Sequence, residues 1–123
     1  MIKLDKSRYI EYTENDRNIV KSGIEAIKKE LLGDNMDRKR SLLFCLDWFM
    51  DPYYRQDISA FKTELIDLLQ TMIISKNDID VKEDALELLR FYTWGSYEIL
   101  EKNIDKIENT LRSDVIEMIN ENK

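Results

Sequence analysis

From Asp80 to Arg112 the apolar positions fall at helical intervals. Val81, Ala85, Leu88, Leu89 and Tyr92 recur at steps of four, three, one and three residues, which places them on one face of a helix. Asp80 with Glu83 three positions on supplies a capping pair, and Glu83 and Asp84 add negative charge to the first turn, where the helix dipole favours it. Trp94-Gly95-Ser96 then interrupts the run, because Gly95 can take the left-handed conformation that ends helices and Ser96 can cap the next one. Tyr97, Leu100, Ile104, Ile107 and Leu111 step three, four, three and four, so a second helix is predicted up to Arg112, antiparallel to the first.

The upstream chain carries the same period. Met1 to Tyr12 mixes charge with Ile2, Leu4, Tyr9 and Ile10 without a sustained repeat and reads as a leading arm. Thr13 to Asp16 has cap chemistry, and Ile19, Gly23/Ile24, Ile27 and Leu31 define a first helix over 13–33 that ends at a C′ glycine, Gly33. Gly23 in its middle costs roughly 1 kcal/mol relative to Ala and is expected to mark close packing of a neighbour. Asp37 caps the next helix, where Leu42, Leu43, Cys45, Leu46, Trp48 and Phe49 are apolar nearly all round, as in a helix buried between others. Asp51-Pro52 stops it and restarts the chain. Tyr54, Ile58, Phe61, Leu65, Leu68 and Met72 then predict a third helix to about Ser75.

Sliding the chain on itself by 43 residues aligns Asp37 with Asp80, Lys39 with Lys82, Leu43 with Leu86, Leu46 with Leu89, Tyr54 with Tyr97 and Leu68 with Leu111. Trp48 and Phe49 meet Phe91 and Tyr92, and Pro52 meets Gly95 at the break between helices. Over residues 37–112 this resembles a HEAT-like or armadillo-like repeat: Val81-Lys82 followed by Ala85 and Leu88-Leu89 looks like the V-R-x-x-A-x-x-x-L run of HEAT first helices. Arg38 stands where that helix would have Val, and the loop before Asp37 lacks the usual Pro. The resemblance implies an all-α fold of two hairpins, 37–75 and 80–112. A helix over 13–33 would cap one end and a terminal helix over 113–120 the other. A plain up-and-down bundle of the same helices is the rival.

Composition agrees with that reading. A chain of 123 residues suits one domain, and 43% apolar and 36% charged residues with three Gly and one Pro suit a helical protein. The densest apolar run, Leu42 to Met50, contains Asp47 and is far shorter than a bilayer span, and the first residues hold no continuous apolar segment. A cytosolic, non-membrane protein is expected. Abundant Ile, Lys, Asn, Asp and Glu point to an AT-rich bacterial genome. The net charge of −6 argues against nucleic acid, which needs clustered Lys and Arg, and suits a basic partner or simple solubility.

Candidate chemistry is sparse. No His is present to serve as general base or metal ligand, one Cys cannot build a zinc cluster, and Cys45 on an apolar face reads as a buried small hydrophobe. No cofactor, metal or catalytic residue is expected. Asp34-Asn35-Met36-Asp37 and Asn77-Asp78-Ile79-Asp80 lack calcium-loop spacing and read as helix caps. Arg38-Lys39-Arg40 sits where the helix dipole opposes cations, so it either contacts an anion or pairs with Asp34, Asp37 or acids of a neighbouring helix. Glu98, Glu101, Asp105 and Glu108 step three, four and three beside the apolar row of the last long helix, a line of carboxylates that repel one another. In a HEAT-like array that helix would face a partner. Glu64 and Asp67 would extend the row, and Tyr53 and Trp94 at the hairpin turns are further contact candidates. A small acidic chain with no active site is similar in size, charge and class to immunity proteins that neutralise basic toxins, often nucleases. An immunity-type inhibitor is therefore the expected function, a general scaffold or adaptor the alternative, and a HEAT-like nucleic-acid or repair protein the lesser one.

Overall fold

Seven α-helices and one 3-10 turn account for all regular structure in the computed structural model, which describes residues 12–51 and 58–121. They are α1 (Glu14–Ser22), α2 (Ile24–Leu31), α3 (Met36–Met50), α4 (Lys62–Ile74), α5 (Ile79–Tyr92), α6 (Glu98–Lys102) and α7 (Asn109–Glu121), with the 3-10 turn Ile104–Lys106 between the last two. The all-α expectation holds among these residues.

The first predicted helix is two helices. Thr13 opens α1 with a capping box: its side chain accepts from the Asp16 backbone N–H, and the Asp16 carboxylate accepts from the Thr13 N–H at 2.8 Å. At Gly23 φ is 103° and the chain turns before α2 begins. The glycine is needed for that backbone and not for close packing, since a Cβ there would meet nothing within 4 Å. Gly33 does follow the Leu32 cap of α2, at the expected C′ position, but it is not left-handed: Gly23 and Gly95 are the glycines with positive φ.

Two caps lie upstream of where the sequence placed them. Asn35, not Asp37, caps α3 by accepting the Arg38 N–H, and Asp78, not Asp80, caps α5 by accepting the Asp80 N–H. Each starts its helix one residue later, at Met36 and Ile79, so α3 and α5 begin 43 residues apart, in the register found by sliding the sequence. After Met50 the chain leaves α3 at Asp51 as expected, but α4 starts only at Lys62, following a turn through Ile58 to Phe61. The predicted helix start at Pro52 to Asp57, with Tyr53 and Tyr54, lies outside the described residues.

The largest departure follows Gly95, which has a positive φ of 117° but lies two residues beyond Thr93, the extended residue that ends α5. Ser96 does not cap α6, because Tyr97 holds the N-cap position. Nor does one helix run from Tyr97 to Leu111. α6 stops after five residues, the Asn103 side-chain amide donates to the Ile99 carbonyl at 2.7 Å, and Ile107 is extended with φ −84° and ψ 135°. The Arg112 guanidinium donates to the Ile107 carbonyl at 2.9 Å, satisfying it where the helix ladder does not. Residues 109–121 then form α7 as a unit, so the predicted boundary between Arg112 and Ser113 disappears.

Contacts between helices fall into two rows. α1, α3, α5 and α7 pack in succession along one row, and α2, α4 and α6 along the other; α2 also packs on α3 and α4 on α5. Between the rows Ile27, Leu31, Leu42, Leu46, Leu65, Leu69, Met72, Leu88 and Leu89 are fully buried. The alignment of Leu68 with Leu111 fails here, because it matches α4 in one row with α7 in the other. The leading segment joins at Tyr12, whose ring meets Phe44 edge-on at 5.8 Å and Trp48 at 6.5 Å.

Candidate interaction surface

Charged side chains divide into those spent inside the fold and those left on its surface. Asp16 on α1 is fully buried and takes the Arg38 guanidinium at 3.0 Å and the Ser41 hydroxyl, both from α3. Arg38 also meets Glu30 on α2 at 3.0 Å. Arg40 reaches α5, where Nε and Nη2 donate to the Asp84 carboxylate at 2.7 and 3.3 Å and Nη1 lies 3.8 Å from Asp80. Lys39 donates to the Asn77 side-chain oxygen at 2.6 Å. The two arginines of the Arg38-Lys39-Arg40 run thus pair with acids of neighbouring helices, as one of the two sequence readings expected, and the lysine reaches the loop before α5.

Burial sets the acidity of the groups in this layer. Asp84 is pushed from 3.8 up to about 6 because burial outweighs the opposing hydrogen bond and charge of Arg40. Burial, then the Asp16 carboxylate, push the Cys45 thiol up to about 12 against a smaller opposing effect of Arg17, which keeps it protonated and unreactive. Burial also raises Tyr97, whose hydroxyl lies 2.8 Å from Thr93 Oγ1. Among the described residues no group of three or more Cys, Asp or Glu is placed to hold a metal ion, and no helix is long and apolar enough to cross a membrane.

The second row carries a groove and several exposed acids. Between α2 and α4 runs an open groove of about 330 Å³ lined by Ile24, Lys28, Leu32, Glu64, Asp67, Leu68 and Thr71. Leu32 is 50% exposed at its edge, and Glu64 and Asp67 are exposed on its rim. Glu98 and Glu101 stand exposed on α6, which packs beside α4. The four-carboxylate row expected on one helix is not on one helix: Glu98 and Glu101 belong to α6, Asp105 to the 3-10 turn, and Glu108 to the loop before α7. Glu108 accepts the Lys82 ammonium at 2.9 Å. Trp94, 79% exposed, lies beyond α5 with the Lys62 ammonium 5.9 Å from its ring centroid, which ties it to the start of α4. Tyr53 lies outside the described residues.

Sequence reasoning named Glu64 and Asp67 but missed the groove they border. Leu32 was the available signal: it follows Leu31 at a helix end, out of phase with the buried face, and so must point away from the core. No family model, curated protein or solved structure matches this chain.

Proposed function

We propose that this chain is a non-enzymatic, HEAT-like protein-binding module that takes a basic segment of a partner protein on its α2–α4–α6 face. The observation that carries the reading is the groove between α2 and α4. It offers exposed apolar surface at Leu32, and Glu64 and Asp67 stand on its rim without an ion-pair partner among the described residues. Apolar floor and charged rim are the usual anatomy of a protein interface, and unpaired carboxylates steer a cationic partner without first having to give up an internal pair. Glu98 and Glu101 on α6 extend the negative surface along the row, with Trp94 as an aromatic contact at its end and Asp105 beyond.

The concrete form of this reading is an immunity-type inhibitor of a basic toxin domain, supported by the net charge of −6 and the small size. A scaffold would bind the same class of partner without blocking an activity, so inhibition assays against basic nuclease domains separate the two. The face itself is tested with an amphipathic helical peptide of Leu and Lys, titrated into labelled protein at low and high salt. Glu64→Gln with Asp67→Asn should weaken binding about tenfold and flatten its salt dependence, because exposed charges are screened beyond about 10 Å at 0.1 M salt. Equal affinity and equal salt dependence in the double variant would remove the groove from the interface.

A further inference from the structure

The repeat supplies an internal comparison at a second pocket. Lys39 on α3 and Lys82 on α5 occupy equivalent positions 43 residues apart, and both are nearly buried, at 8% and 5% exposure. Each extends its ammonium toward the segment that precedes the next helix of its row. Lys82 finds a carboxylate there, Glu108 Oε1 at 2.9 Å. Lys39 finds a neutral amide, Asn77 Oδ1 at 2.6 Å, and among the described residues no carboxylate pairs with it. One amide oxygen satisfies one of three ammonium N–H groups and none of the charge, whereas a buried cation needs both.

Open space adjoins this lysine. Lys39 lines an open pocket of about 550 Å³ together with Asp34, Met36, Lys76, Asn77, Asp78 and Val81. The pocket lies where α3 and α5 begin, so two long helices turn their positive ends toward it, and Lys76 adds a second cation. The exposed carboxylates of Asp34 and Asp78 also border it and oppose a second negative charge on any ligand. A monoanion therefore fits better than a dianion.

We propose that this pocket binds a carboxylate, seated beside Lys39 as Glu108 is seated beside Lys82. The proposal is independent of the groove between α2 and α4. The carboxylate is either a free small acid or an acidic side chain presented by another protein, and the experiment distinguishes these. Isotope-labelled protein is titrated with sodium acetate, with a capped peptide carrying a single Glu, and with sodium phosphate, each against sodium chloride at matched ionic strength. Saturable shifts are expected at the amides of Met36, Asn77 and Ile79, with acetate favoured over phosphate. Lys39→Met keeps the apolar stem and should weaken binding at least tenfold. If that variant loses its folded spectrum, Asn77→Asp serves instead: it places a carboxylate beside Lys39, and external acid should then bind at least tenfold more weakly. An acetate response matching that of the peptide indicates a free acid, and a tighter peptide indicates a protein side chain. No saturable response to either, undiminished binding in the variants, or phosphate bound more tightly than acetate would overturn the assignment.

Discussion

Asp16 is the residue whose removal should cost this fold most for the fewest atoms changed. Its side chain is fully buried, yet four donors converge on it: the Thr13 N–H at 2.8 Å, the Thr13 hydroxyl at 3.1 Å, the Ser41 hydroxyl, and the Arg38 guanidinium at 3.0 Å. One carboxylate thus caps α1 and fastens it to α3. Asp16→Asn keeps the shape but only one acceptor oxygen. Whichever way the amide turns, its NH₂ faces either Arg38 or the Thr13 and Ser41 donors. Losing a charge-assisted hydrogen bond costs about 1.5 to 3 kcal/mol, and loss of a cap typically about 1 kcal/mol, so Asp16→Asn should cost about 2 to 3 kcal/mol. Asp16→Ala removes all four contacts and the buried ion pair, and should cost about 3 to 5 kcal/mol. Arg38 keeps Glu30 as a partner at 3.0 Å and is 30% exposed, which holds the loss within that range. Urea unfolding followed by far-ultraviolet circular dichroism gives both numbers, provided the denaturant slope is unchanged. A loss below about 1 kcal/mol for Asp16→Ala would refute the reasoning. A double-mutant cycle with Arg38→Met should then return a coupling of at least about 1 kcal/mol.

Other outcomes follow from single sites. Asp84, raised from 3.8 to about 6, binds its proton more tightly in the folded chain, so its contribution to stability is fully present below about pH 4 and is lost as pH rises through 6. Two units correspond to about 3 kcal/mol at most. Between pH 4 and pH 7 wild type should lose stability relative to Asp84→Asn by up to that amount, and a flat or reversed difference would contradict it. Gly23→Ala forces a side chain into φ 103° and should cost about 1 kcal/mol or more in thermal unfolding despite open space at the site. Leu65→Ala, at a fully buried position, should cost about 2 to 5 kcal/mol, and Phe61→Ala, only half-buried, should cost less than Leu65→Ala despite the larger ring. The reverse order in urea unfolding would place Phe61 in the core.

Apolar periodicity foretold burial more faithfully than it foretold backbone. Tyr97, Leu100, Ile107 and Leu111 are buried as the three-four spacing required, and Ile104 packs partly against them, yet the backbone beneath them is a short helix, a 3-10 turn, an extended residue and the start of α7. The period records which side chains the core must take, because burial is what selects them. Whether the hydrogen-bond ladder continues is decided by local competitors, here the Asn103 amide on the Ile99 carbonyl and Arg112 on the Ile107 carbonyl. The two-residue displacement of the α3 and α5 caps has the same origin, since Asn35 against Asp37 and Asp78 against Asp80 are rival caps within one turn.

The helical class, the breaks at Gly95 and after Met50, the buried Cys45 and the matched register of α3 and α5 were all present in the order of residues, since each depends on neighbours within a few turns. Which particular groups on neighbouring elements the cations of α3 bind was not. Arg38 meets Asp16 across 22 residues, Arg40 meets Asp84 across 44, and Lys39 meets Asn77 across 38. The groove is of the same kind, because Leu32 and Glu64 become its two walls only when α2 packs against α4. Charge pairing and concavity depend on which helices become neighbours, and that is decided by how the apolar faces of α2 to α5 bury one another, a collective result that no local stretch of the chain encodes.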